Sequence, residues 1–180
     1  MRVLLGSIAV LIAALAAGTG HAQDAPKADG IFVTVNNPIT EGGISQIKST
    51  VDTAKNAPKQ NIKTVVFNFN PEGKDAATES FALAQELAKY IRSLTQNGVT
   101  TIAFVQGKTT RHTVLPAIAC DELVMSSDAR IGDVWSKDKP LDLDEQQYYQ
   151  KIAGTARAGP VSKMFDKDVK LVTAKYKGGT

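Results

Sequence analysis

Three short runs rich in β-branched and aromatic residues, Gly30–Val35, Thr64–Phe69 and Thr100–Val105, set the frame into which this chain must fold. Each is about the length of a strand, and the second is apolar almost throughout, as a strand buried in a parallel sheet is. The segments between them carry helical spacing instead. Ile44, Ile47, Val51 and Ala54 fall on one face of a helix that Thr40 is placed to cap and Pro58 to end. Phe81, Ala84, Leu87, Ala88, Ile91 and Leu94 do the same in the next segment, with Asn97-Gly98 as its stop. Strand, helix, strand, helix, strand predicts right-handed crossovers onto a mostly parallel sheet, an α/β fold.

Beyond the third run, Val114–Cys120 reads as a short buried helix, Glu122–Met125 as a fourth strand and Ala129–Ile131 as a brief extended piece. The character then changes. Trp135–Asp144 is charged and proline-bearing, Glu145–Ala156 is a polar helix candidate, and Val169–Ala174 reads as a last strand. We expect a single domain, with a core over residues 30–135 and a C-terminal helical arm over 136–180.

The N-terminus reads as a cleavable signal peptide over residues 1–22. Arg2 gives the positive end, Val3–Ala17 the apolar stretch, and Gly20-His21-Ala22 small residues at the cleavage site. The apolar stretch is shorter than the roughly 20 residues of a spanning helix. Residues 23–29 read as a polar linker, and export to a periplasmic or secreted location is expected, without a membrane span after cleavage. Formal net charge is +3 with the leader, and loss of Arg2 lowers it by one. That balance argues against a nucleic-acid partner, which would want a clustered basic face. Cys120 is the only cysteine, so no intrachain disulfide forms and apolar burial must hold the domain together.

In a parallel sheet of this kind chemistry gathers in the loops at the carboxyl ends of the strands, here residues 36–41, 70–78 and 106–113. The residues there, taken in order, resemble the ClpP/crotonase superfamily, and within it the membrane-bound serine proteases of the NfeD type, relatives of signal peptide peptidase A. Pro38-Ile39-Thr40 resembles that group's glycine-proline-isoleucine-threonine. Val65-Val66-Phe67-Asn68-Phe69-Asn70-Pro71-Glu72-Gly73 resembles its strand and proline-glycine-glycine turn. Ala119-Cys120-Asp121-Glu122-Leu123-Val124-Met125 and Ala129-Arg130-Ile131-Gly132 resemble its alanine-alanine-aspartate strand and isoleucine-glycine-alanine landmark. Such relatives commonly continue into transmembrane helices and a small β-barrel, whereas this chain ends at Thr180, either as a natural terminus or as part of something longer.

The resemblance implies a serine nucleophile opening the helix after the third strand, backbone N–H groups for the oxyanion, and a lysine or histidine base. None of these parts is a metal or cofactor, and neither is expected. The nucleophile position falls on Arg111, or on His112 one residue along; neither is serine, and a guanidinium cannot attack a carbonyl. In the oxyanion turn Gly73 is expected to keep its N–H donor, while Glu72 stands where the first glycine belongs, its carboxylate facing either the site or solvent. Lys139 or Lys137 lies near the family's base, or is plain surface lysine. Together the departures imply a degenerate, non-catalytic member that binds or scaffolds at the cell envelope, with a polypeptide or membrane-protein partner and, by resemblance, a homo-oligomeric state.

Two alternatives stand beside this. One is a working serine-type or atypical peptidase, for which Thr110 or Thr113 would have to substitute; the plainer expectation is that Thr110 caps the following helix and Thr113 packs within it. The other is a small-anion-binding module in which Lys108, Arg111 and His112 converge at a helix N-terminus. His112 could instead simply hydrogen-bond within its turn. Cys120 is expected to be a buried small residue rather than a nucleophile. Trp135 and the Tyr148-Tyr149 pair are expected to cover the groove or form a subunit contact.

Overall fold

A computed structural model describes residues 29–58, 60–75, 77–136, 138–166 and 168–171. Its elements run β1 (Gly30–Val35), α1 (Glu41–Asn56), β2 (Thr64–Phe69), α2 (Phe81–Gln96), β3 (Thr100–Val105), β4 (Lys108–Thr109), α3 (Val114–Ala119), β5 (Glu122–Met125), β6 (Arg130–Ile131) and α4 (Leu143–Lys163). β1, β2, β3 and β5 form one sheet in that order, every pair parallel, and β4 pairs with β6 in a second small parallel sheet.

The register explains the core. Val33 lies beside Phe67 and Phe67 beside Ala103; Val35 lies beside Phe69 and Phe69 beside Val105. All of them are buried, and they make one continuous apolar face. Against it α1 packs Ile44, Ile47 and Val51, α2 packs Leu87, Ala88 and Ile91, and α3 is buried along its whole length. The opposite face carries Phe32, Val66, Ile102, Phe104 and Val124, with Phe32 and Val124 exposed. Among the described residues all the helices gather on one side, which is unusual for a parallel sheet. None of these helices is long and apolar enough to cross a membrane.

Local chemistry sets the element ends. The Thr40 hydroxyl accepts from Gly43 N–H at 3.1 Å and opens α1, and Ser80 does the same for α2 through Leu83 N–H. Gly98, at φ +76°, stops α2 in the left-handed region that glycine enters freely. Asp142 and Glu145 form a reciprocal capping box at the start of α4.

The structure departs from the sequence reading in four places. Residues 108–109, expected as part of a turn, make the short strand β4. The predicted helix over 145–156 extends to Leu143–Lys163, broken inside by Gly154 at φ 59°, ψ −170°. The last strand does not form over residues 169–171, and its remainder lies outside the described residues, as do the leader and linker up to residue 28. Finally, Thr113 rather than Thr110 occupies the cap position of α3, and its hydroxyl makes no cap bond. That hydroxyl donates instead to Asn37 Oδ1 at 2.8 Å and lies 2.7 Å from Thr78 Oγ1, tying three loops together below the surface.

The C-terminal end of α3 is satisfied from a distance. Arg157 on α4 donates to the carbonyls of Ile118 (2.8 Å), Cys120 (2.7 Å) and Asp121 (2.5 Å), groups a helix end leaves without partners. Replacing Arg157 with leucine keeps the aliphatic stem and orphans these oxygens. We expect it to destabilise the domain by about 2–3 kcal/mol, the scale of charged hydrogen bonds, read from the urea midpoint.

Candidate functional site

The loops that follow β2 and β3 meet at one end of the sheet. After β2 the chain turns through Asn70, which takes φ 50°, an uncommon conformation for a side-chain-bearing residue. Its buried amide holds the turn, receiving Lys74 N–H on Oδ1 and donating through Nδ2 to the carbonyls of Lys74 (2.9 Å) and Lys108 (2.8 Å). Two loops are thereby pinned by a single side chain. They also touch directly, since a Cβ added at Gly107 would meet Gly73 Cα at 3.1 Å and Asn70 O at 3.2 Å.

Arg111 and Asp133 are the other two described residues besides glycine with positive φ, at 51° and 50°, and they face each other through Arg111 N–H to Asp133 O at 3.3 Å. Three such residues in the loops at one end of the sheet are the kind of backbone strain that gathers at functional sites. The Arg111 guanidinium, its side chain only 12% exposed, does not reach into open space. Its Nη1 donates to Val134 O at 2.5 Å and Lys139 O at 3.0 Å, and Nε lies 3.5 Å from Glu79 Oε2. Lys139 Nζ sits 2.9 Å from the same carboxylate oxygen. The Lys139 hydrogen bond, with Arg111 and Lys139 charge beside it, holds the Glu79 carboxyl below its ordinary range despite partial burial.

The structure therefore brings Arg111 and Lys139 together, joined by Glu79. An ammonium paired this way is not a free base beside a nucleophile. Lys137 lies outside the described residues. Lys108 is exposed on β4. His112 turns inward, 4% exposed at its side chain, with Nδ1 3.3 Å from the Tyr149 hydroxyl and Nε2 4.0 Å from Glu145. It bonds to α4 and not within its own turn. Phe81 meets its ring edge-on at 5.5 Å. Arg111 and His112 thus engage different partners, the first Val134, Lys139 and Glu79 and the second Tyr149 and Glu145, and α3, six residues long, offers little helix end to an anion.

The oxyanion donors expected at the turns are committed elsewhere. Gly73 N–H donates to Asn70 O at 3.0 Å, and His112 N–H to Thr78 O at 3.1 Å. With Arg111 N–H on Asp133 O, none of the three is free to meet developing negative charge. Glu72 faces solvent, paired to Lys74 at 2.6 Å and about 60% exposed. Thr113, the better-placed of the two threonines, has its hydroxyl fully occupied by Asn37 and Thr78. Cys120 is buried, its thiol pushed well up by desolvation. Tyr149 is wholly buried against His112, while Tyr148 and Trp135 are half-buried. Sequence reasoning missed Glu79, the hub of the ionic cluster, and Asn70, the loop staple; each is a common polar residue in a loop and carried no mark of its role.

No protein-family model matches the chain, and no curated protein matches its sequence significantly. Solved structures do match. An enoyl-CoA hydratase/isomerase family protein from Silicibacter pomeroyi superposes with a TM-score of 0.53 at 15% identity, over 76% of this chain and 62% of that one. A Legionella pneumophila protein described as an enoyl-CoA hydratase/isomerase (crotonase) gives 0.53 at 20% identity, over 79% and 60%. A Pseudomonas aeruginosa protein gives 0.54 at 13%, over 77% and 66%. This chain thus spans between 60% and 66% of the length of these three neighbours. The fold they share with it is the ClpP/crotonase-like fold, and the chain is a single α/β domain of that class.

Two outcomes follow from the packing. Burial, with Arg111 charge nearby and Glu79 opposing, lowers the His112 pKa to about 4. An unfolded ring takes its proton near pH 6.5. The neutral ring's contribution to stability is complete above that value and is lost as pH falls from about 6.5 toward 4, a change of up to about 3 kcal/mol. The ring resonances of His112 should titrate near pH 4, and His112→Gln should flatten the stability profile across that window. Separately, Gly107→Ala must push the two turns apart and should cost about 1–3 kcal/mol in denaturant unfolding, as overpacking does.

Proposed function

We propose that this chain is a non-catalytic member of its fold class, exported, and serving at the cell envelope by binding a polypeptide or membrane-protein partner. The observation that carries the reading is the Arg111 guanidinium, held on Val134 O, Lys139 O and Glu79 at the mouth of the cleft where the fold places its chemistry. Acyl chemistry needs converging free N–H donors and an activated group beside them. Here the donors are bound to carbonyls and the cations are paired to one carboxylate. The sequence likeness to NfeD-type proteases supports the envelope setting, as does the leader-like N-terminus, and the same likeness suggests a homo-oligomer.

A second reading comes from the neighbours described as enoyl-CoA hydratases. It calls for a thioester carbonyl lodged between the turns that Gly73 and Gly107 bring into contact. The two readings separate in one set of assays. The purified chain is offered a short-chain enoyl-CoA thioester, a fluorescent casein and a serine-directed fluorophosphonate. No turnover and no labelling above a heat-denatured control are expected. Hydration of the thioester, or casein cleavage that Glu79→Gln abolishes, would overturn the silent-site reading.

A further inference from the structure

β1 is an edge strand among the described residues, and its ladder fixes which groups remain open. Val35 O accepts from Asn70 N–H at 3.0 Å and Asp29 O accepts from Thr64 N–H at 3.1 Å, so the odd-numbered residues of β1 direct their backbone groups to β2. In a parallel strand the alternate residues then direct theirs the other way. The N–H and C=O of Phe32 and Thr34 point off the sheet, and no hydrogen bond to another described residue receives them.

Among the described residues this edge carries none of the usual protection. Gly-Ile-Phe-Val-Thr-Val contains no lysine, no proline and no charge. Phe32 is 74% exposed. Beside the edge runs a groove with a cavity of about 210 Å³, walled on the other side by Gly43, Gln46 and Thr50, one stripe of α1. Pro38 and Ile39 close its end. A Cβ added at Gly43 would meet the Thr40 hydroxyl at 3.2 Å.

Size selects the occupant. The cavity is smaller than the roughly 300–1,000 Å³ of a cofactor or metabolite pocket, yet it accommodates an aliphatic side chain. A strand about 20 Å long in a groove about 10 Å wide covers roughly 200 Å², a quarter of the roughly 800 Å² per partner that two folded proteins need. A second folded copy meeting along this edge falls short. An extended segment, which brings its own N–H and C=O row, does not need that area.

We propose that the β1 edge and the adjoining α1 groove form a strand-addition site for an extended segment of a partner polypeptide, pairing with Phe32 and Thr34 and placing one aliphatic side chain against Gly43, Gln46 and Thr50. The site shares no lining residue with the Arg111, Glu79 and Lys139 cluster and does not depend on that cluster being silent; catalytic turnover would sink the earlier reading and leave this one intact.

The test uses the full chain and a panel of capped octapeptides with alternating Val, Leu or Phe, read by fluorescence anisotropy and by hydrogen exchange. In the free protein the Phe32 and Thr34 amides should exchange quickly while Val33 and Val35 are protected. A binding peptide should slow Phe32 and Thr34 exchange at least tenfold. Thr34→Pro removes one outward N–H at a position where an edge strand tolerates proline, and Thr50→Trp fills the groove. Each should weaken peptide binding at least tenfold, and the second keeps the test alive if the first fails to fold. Protection of both amides in the free chain, independent of concentration, would mean the chain covers its own edge; protection growing with concentration would mean self-pairing. Either result, or no binding by any peptide at millimolar concentration, overturns the proposal.

Discussion

Burial of a single sheet face is the constraint on which the other features hang. With one cysteine and no disulfide, the domain depends on Val33, Val35, Val65, Phe67, Phe69, Ala103 and Val105 being removed from water together. Parallel strands permit this only if each crossover returns over the same face, and α1, α2 and α3 all do. The carboxyl ends of β2 and β3 are thereby brought side by side, and the loops leaving them have nowhere to go but against each other.

Those loops are filled by their own polar groups. Asn70 staples one turn to the next, Arg111 bridges to Val134 and Lys139, and Glu79 gathers two cations. The unusual backbone angles at Asn70, Arg111 and Asp133 sit beside backbone N–H groups, those of Gly73, Arg111 and His112, that are bonded to carbonyls. Uncommon backbone angles braced by side-chain bonds on both sides make a rigid arrangement.

Much of the fold was legible in the sequence, because periodicity reports burial directly. The three β-branched runs and the two amphipathic segments between them became β1, β2, β3, α1 and α2 with the expected ends, since Thr40, Asn97 and Gly98 act through their immediate neighbours. Failures came where the deciding contact is remote. Residues 108–109 become a strand only because Arg130 and Ile131 pair with them, and Thr113 forgoes capping because Asn37, 76 positions away, takes its hydroxyl. At the site, Arg111 stood out by its residue type alone. That Glu79 would bind both Arg111 and Lys139 left no local trace, since an exposed glutamate in a loop looks the same whether or not it has partners.

The break at Gly154 gives the C-terminal helix a geometric role. One half of α4 reaches His112, just before α3, through Tyr149; the other half reaches the carbonyls at the end of α3 through Arg157. A straight helix has a fixed pitch, and its two contact points would have to suit α3 by chance. With a hinge between them, each half can be aimed separately, and α4 works as a caliper closed on a six-residue helix. Adding or deleting one residue between Tyr149 and Arg157 would rotate one jaw relative to the other. The spacing between these two residues is thus held by the length of the object they measure.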